Sequence, residues 1–462
     1  MTRRAALGGL AVAAGAIVGS QAAAQPSEAW QPPTLTVTRY AEDWSGLADP
    51  AARSGRWTEG FKYIPLDSGG GAYLTTGLEV RLRQETYRNS NWGDAPAPDD
   101  GYTWIRALPY ADLHVGRFRA FVQPIAAYAA GVSPSAGPTD RTGIDLLEGF
   151  AEVSVPVDRG SVTLRAGRQL MPLGSERLVG ARYGPNIPLA FDGLQADVHA
   201  GRAKVSVFRV EPVRAGAGTF DDRAVSAKRL WGAYTTLPNL DLYYLGFRHR
   251  GATFGGRMGD EHRDSFGARS FGHAGDWRWN VEGVLQTGRF DGRKIRAWTV
   301  GSEVGRRFPQ APRTPDVTVR FDIVSGDTDP DDGKLGTFNA LFPKGKYFGE
   351  LSPVGPYNIV NLNPAVAFDL GHDVTLGLSA MAYWRHARAD GVYDVPGGLL
   401  RAPGASRARF IGKQAEITLD WQATPELDLS ASLSAFEPGA FIRETGPAET
   451  IGMFGLEANF RF

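Results

Sequence analysis

The sequence predicts an all-β chain: a transmembrane, antiparallel, up-and-down β-barrel of about eighteen strands, with short periplasmic turns and long extracellular loops. Three observations predict it. The chain opens with an export signal, apolar and polar residues alternate with a period of two through segment after segment, and the connections between segments alternate between tight and long.

Arg3 and Arg4 form a short basic start, Ala5 to Gly19 an uncharged and mostly apolar stretch, and Ala22 to Ala24 an Ala-x-Ala cleavage site. Residues 1–24 therefore read as a cleaved signal peptide. Their apolar run is shorter than the roughly 20 residues that a membrane-spanning helix needs. Residues 25–70 follow as an N-terminal periplasmic segment in which only "TLTVTRY" (Thr34 to Tyr40) has a strand-like pattern. Residues 71–462 read as the barrel.

Within the barrel, "DLDLSASLSAF" sets Leu427, Leu429, Ala431, Leu433 and Ala435 against Asp428, Ser430, Ser432 and Ser434. "KQAEITLDWQ" and "DVTVRFDIV" alternate in the same way. Successive side chains of a strand point to opposite faces, so each run has one apolar and one polar face. Eighteen such segments start near residues 71, 101, 117, 147, 161, 189, 202, 228, 240, 262, 275, 293, 316, 359, 373, 410, 426 and 451. At about 9–14 residues, most are long enough for a tilted strand to cross a bilayer. Tight turns follow segments 2, 4, 6, 8, 10, 14 and 16. Long polar connections follow segments 1, 3, 5, 7, 9, 13, 15 and 17, and segment 11 leaves by a short "RFDG" turn. All the tight turns thus fall at one end of a meander. Trp277, Trp279, Trp298, Tyr383, Trp384 and Trp421 suit aromatic girdles at the two membrane interfaces. The last run, "IGMFGLEANFRF", puts Phe454, Leu456, Ala458, Phe460 and Phe462 on one face. A final Phe of this kind is the feature that barrel-assembly machinery reads, which makes that machinery an expected partner through Phe462, beside outer-membrane lipid.

Composition removes other classes. The 50 basic and 50 acidic residues become 48 and 50 once Arg3 and Arg4 leave with the signal, and nucleic-acid binding normally needs a basic excess. Cysteine is absent, so neither disulfides nor thiolate metal sites can form. The seven histidines show no H-E-x-x-H or other paired ligand spacing, and no G-x-S-x-G elbow or phosphate loop stands out. Asp327, Asp329 and Asp331 resemble the start of a calcium loop, but Gly333 falls one position late and Phe338 stands where the closing Glu belongs. They read as a solvated acidic turn. No catalytic residue, metal site or cofactor is expected.

Eighteen strands leave room for an aqueous channel, so passage of a hydrophilic solute is the expected function. The polar faces are ionic: "LEVRLRQETY" presents Glu79, Arg81, Arg83 and Glu85, and Arg106, Asp112, Arg119, Glu148, Glu152, Arg165, Glu282, Arg320 and Asp322 are further inward candidates. A guanidinium can grip a solute carboxylate with two parallel hydrogen bonds, and neighbouring acids keep it from trapping that solute. The same pairs could also simply stiffen the wall.

Two stretches carry a resemblance. "LRAGRQLMPLGSERLVGARYGPNIPLAFDGLQAD" has Gly167-Arg168-Gln169, Gly174, Arg177-Leu178-Val179-Gly180, Pro185-Asn186 and Phe191-Asp192-Gly193. "GDTDPDDGKLGTFNALFPKGKYFGELSPVGPYNIVNLNP" has Thr337-Phe338-Asn339, Leu341-Phe342-Pro343, Gly345-Lys346-Tyr347-Phe348-Gly349 and Gly355-Pro356. Both resemble the alginate-export family of outer-membrane porins. The resemblance implies a monomeric eighteen-stranded barrel whose arginine-rich constriction passes an anionic polysaccharide such as alginate. By motif position it implies that Arg165, Arg168 and Asp192 form the constriction, with Arg177, Arg182, Lys344 and Lys346 on loops that fold inward. The chain departs from that picture in its near balance of inward acids and bases. A porin for small hydrophilic solutes (sugars, organic or aromatic acids) is the alternative reading.

Overall fold

A computed structural model describes residues 30–462; the expected signal peptide, residues 1–24, lies outside them. Eighteen long strands form the wall. They are β1 (Ala72–Arg88), β2 (Asp100–Val115), β3 (Phe118–Ala130), β4 (Gly143–Val157), β5 (Gly160–Leu170), β6 (Ala190–Ala200), β7 (Ala203–Arg214), β8 (Lys228–Leu237) and β9 (Leu240–Phe254). The meander continues with β10 (Arg257–Ala274), β11 (Trp277–Phe290), β12 (Arg293–Arg307), β13 (Asp316–Val324), β14 (Ile359–Gly371), β15 (Val374–Arg385), β16 (Phe410–Thr424), β17 (Leu427–Pro438) and β18 (Ile451–Arg461). Each is antiparallel to its neighbours in sequence. β18 returns to pair with β1 from Glu79↔Arg461 to Arg88↔Gly452, which closes the barrel and leaves no sheet edge among these strands.

Alternation fixes which way each side chain points. On β1, Glu79, Arg81, Arg83 and Glu85 are buried in the interior while Val80 and Leu82 are exposed. Across the wall Leu164, Leu194, Phe266, Leu285 and Leu433 are all more than half exposed. That apolar outer band belongs in lipid, because so continuous an apolar surface is unfavourable in water. Of the aromatic residues expected in girdles, Trp277, Trp298 and Trp421 are exposed on the outer face. Tyr383 does not: it shares the inward phase of Met381 and Arg385 and is fully buried.

Two strand starts differ from the pattern. β4 begins at Gly143 rather than near 147 because a bulge opposite Gln123/Pro124 turns Leu147 and Glu148 both inward and breaks the alternation. β10 begins at Arg257 rather than near 262. Its first turn-side residues, "RMGDE", rise clear of the apolar band and have no apolar face to show. For the same reason the connection between β9 and β10 is not long. It is a two-residue turn, Gly255–Gly256, both with positive φ, the geometry that a tight hairpin demands and glycine supplies freely.

Candidate functional site: a partition across the lumen

Two of the long connections turn inward and meet. Residues 171–189, between β5 and β6, and residues 325–358, between β13 and β14, join where Val179 bridges Phe342. Gly180 N–H donates to the Phe342 carbonyl at 2.8 Å, Phe342 N–H to the Leu178 carbonyl at 2.8 Å, and Lys344 N–H to the Glu176 carbonyl at 3.0 Å. An added Cβ on Gly180 would lie 2.9 Å from the Lys344 nitrogen, so the approach requires glycine there. Phe342 packs edge-on against Phe191 (5.2 Å) and Phe247 (5.6 Å), giving the joint an apolar seat on β6 and β9.

The inward arginines of the wall hold this joint. Arg81 donates to the carbonyls of Tyr183 (2.9 Å) and Pro185 (2.7 Å). Arg106 pairs with Glu79 at 2.7 Å and lies 4.2 Å from the centre of the Tyr183 ring. On the far wall, Arg177 reaches Asp322 at 2.6 Å and the Tyr347 hydroxyl at 2.5 Å, with Glu282 at 3.4 Å. Its guanidinium lies against Gly301, where any side chain would collide with it. Arg320 donates to Asp322 (2.9 Å) and to the Tyr347 carbonyl (2.7 Å). Arg83 is held by Glu85, Glu350 and Glu457, and Lys346 shares Glu85 and Glu350 with it.

Two expected lining residues lie elsewhere. The β5–β6 register is unbroken, and Arg168 sits between inward Gly167 and Gln169, so it takes the outward phase of Leu164; Asp192 takes that of Leu194. They face each other in a two-pronged pair at 2.7 and 3.0 Å, and Arg168 also donates to the Leu146 and Asp222 carbonyls. The motif located them at the rim, but the alternation turns them to the outer wall. Arg165 does face inward. It is bound to Glu152 and Gln169 and covered by the Tyr40 ring at 4.2 Å.

Tyr40 belongs to the N-terminal segment, which enters the end of the barrel that carries the short turns. "TLTVTRY" forms no strand there; it ends in a single helical turn at Arg39–Ala41. Tyr40 packs edge-on against Phe121 and Phe150 and donates to the Leu170 carbonyl. Arg39 donates to the Phe462 carbonyl at 2.8 Å, while Trp57 and Phe61 flank the Phe462 ring. Lys62, in the short helix Glu59–Lys62, donates to the Tyr110 hydroxyl at 2.7 Å. Burial, reinforced by Arg39, lowers its pKa to about 7.

Two loop cations stand apart from the paired ones. Neither Arg182 nor Lys344 forms an ion pair among the described residues; Arg182 donates to the Pro343 carbonyl at 3.1 Å. Burial lowers the pKa of both. On the long-loop side of the joint, Arg182, Arg214 and Lys228 line a vestibule of about 470 Å³ together with one acid, Asp222, and apolar Leu147, Leu189 and Phe342. Arg214 and Lys228 had no signal in the sequence, because they become lining residues only where β7 and β8 rise beside the inward loop. The turn at Asp327 is held by Arg293 at 3.0 Å.

A closed eighteen-stranded barrel with an apolar outer band and inward loops joined over ionic walls is an outer-membrane channel. The chain belongs to the alginate export family, whose pattern matches residues 72–454. Solved structures share the fold at low identity. Pseudomonas aeruginosa OccK2 (OpdF) aligns at TM-score 0.59 and 12% identity over 84% of this chain and 97% of its own. Acinetobacter baumannii OccAB1 aligns at 0.57 and 12% over 88% and 99%, and P. aeruginosa OpdK with vanillate at 0.54 and 12% over 84% and 98%. No curated protein sequence matches the chain.

Proposed function

We propose that the channel passes an anionic saccharide of the alginate type, as a monomer, with Arg182 and Lys344 contacting the cargo at the joint and Arg214 and Lys228 in the vestibule above it. The observation that carries this reading is the placement of Arg182 and Lys344. They are the two inward-loop cations that form no ion pair among the described residues, on the two segments that meet at the joint, and Arg182 lines a cavity of the size that holds a small ligand. A buried cation with no acid paired to it has its charge available to a passing carboxylate. The remaining expected lining residues, Arg81, Arg83, Arg106, Arg165, Arg177, Arg320 and Lys346, contribute by holding the loops and the N-terminal segment where they are. The near-complete pairing of the wall supports a second reading, a porin for small organic acids or sugars, since a paired wall attracts a long polyanion only weakly.

Single-channel recording in planar bilayers distinguishes the two. Oligouronates added to one chamber are expected to block the current, and Arg182→Ala with Lys344→Ala to weaken that block by about tenfold or more, as loss of charged hydrogen bonds predicts. Current indifferent to oligouronates but reduced by monomeric acids would select the second reading.

A further inference from the structure

The outer face of the barrel has a row of charge that neither the lumen nor the fold requires. At the level of Arg168 and Asp192 the ladder continues outward-facing: Asp192 stands opposite Glu211, and Glu211 binds Arg229 at 2.6 Å. Beyond Arg229 the acids stop. Arg229 stands directly opposite Arg248 across β8 and β9, Arg248 opposite His262, His262 opposite Arg289, and Arg289 opposite Lys294. Arg209 joins from the next row, opposite Trp231. Like charges placed opposite one another destabilise a sheet. Arg209, Arg248 and Arg289 are nonetheless exposed and form no ion pair among the described residues. The outward acids that flank the row are engaged elsewhere: Asp260 receives the Gly251 N–H and Asp264 the Tyr244 hydroxyl at 2.8 Å.

These side chains border an open pocket of about 710 Å³ on the outer wall, lined by Arg209, Arg229, Trp231, Arg248, His262 and Arg289 together with two acids, Asp260 and Glu261. Its floor is flat: the Trp231 indole lies on Gly246, where a Cβ would collide with it, and stacks on His262 at 5.7 Å. Its height is set by the neighbouring rows. Four residues toward the short-turn end, the same strands present Tyr244, Phe266, Leu285 and Trp298 side by side, the aromatic and apolar edge of the lipid band. Four residues along a tilted strand rise roughly 10 Å, which puts the guanidinium groups at headgroup depth on the long-loop side.

We propose that the outer wall from β7 to β11 binds the phosphorylated sugar headgroup of a glycolipid in the outer leaflet. Guanidinium groups match phosphate oxygens two by two, the Trp231 face accommodates a sugar ring, and the acyl chains continue down over Phe266 and Leu285. A bound polyanion also relieves the repulsion along the row.

Native mass spectrometry of the detergent-solubilised barrel tests this with a bis-phosphorylated, multiply acylated diglucosamine lipid, its dephosphorylated counterpart and inorganic phosphate. Wild type is expected to retain the phosphorylated lipid at least about tenfold better than the dephosphorylated one. The triple variant Arg209→Gln, Arg248→Gln, Arg289→Gln should lose that preference, and Arg248→Gln alone should reduce it. Arg306→Gln with Arg307→Gln, at the opposite rim, should keep it, and heat-dependent gel mobility confirms that each variant is folded. Equal retention of the two lipids by wild type overturns the proposal, as does an equal loss in the opposite-rim variant. Displacement of the lipid by inorganic phosphate at matching concentration would make this a free-anion site and overturn the lipid assignment.

Discussion

Arg106 shows how a charged residue in this wall can be structural and still govern the channel. Its side chain is fully buried, paired to Glu79 and covered by Tyr183, so it anchors the inward loop at residues 183–186. Removing one member of a buried pair strands the other, at a cost of about 3–5 kcal/mol. Arg106→Ala should therefore lower the unfolding free energy of the refolded barrel by about 3 kcal/mol or more, measured by tryptophan fluorescence in denaturant. The double change Arg106→Met with Glu79→Gln should recover much of that loss, since no charge is left uncompensated. Full stability in the single variant would show that water reaches Glu79 and that the loop is not seated on it. Arg106 was legible in the sequence as an inward cation. Its partner across the strand was legible from alternation, but the carbonyls of Tyr183, Pro185 and Asn186 were not, because loop backbone has no period to read.

At the level of elements, the wall was readable because lipid on one side and polar interior on the other impose a two-residue rhythm. That rhythm fails where lipid ends, as at the start of β10, or where a bulge shifts it, as in β4. The same limit explains Arg168 and Asp192: a motif gives position along the chain, while the face depends on register through two glycines of positive φ, Gly167 and Gly193. The N-terminal segment was the least legible element, since its residues gain structure only from the barrel they enter. Its docking should depend on pH through Lys62. The folded pKa is about 7 against an ordinary 10.5, so the docked form binds fewer protons than the free form between those values. Docking then strengthens as pH rises from about 7 toward 10.5, and the full burial penalty applies below about 7. Proteolysis of residues 30–63 should be faster at pH 6 than at pH 9, and Lys62→Met should flatten the difference. An unchanged ratio in Lys62→Met would place the dependence elsewhere.

For the molecule as a whole, opposite charges are matched side by side, so the lumen field depends on which partners are removed rather than on net charge. Glu350, on an inward loop, is shared by Arg83 and Lys346. Glu350→Gln should remove one of the acids that each cation shares, leave the cluster one unit more positive, and shift the reversal potential in a salt gradient toward anion preference, whereas a shift toward cations would contradict the pairing. The loop joint has a further consequence. It is fastened to β1 and β2 on one side and to β11 and β13 on the other, and these strands stand on opposite sides of an eighteen-strand ring. A thin-walled tube in a fluid under lateral pressure tends to flatten into an ellipse. The two inward loops span it like the tie rod of an arch, so the roundness of the tube and the width of its narrowest passage are set by the same few bonds.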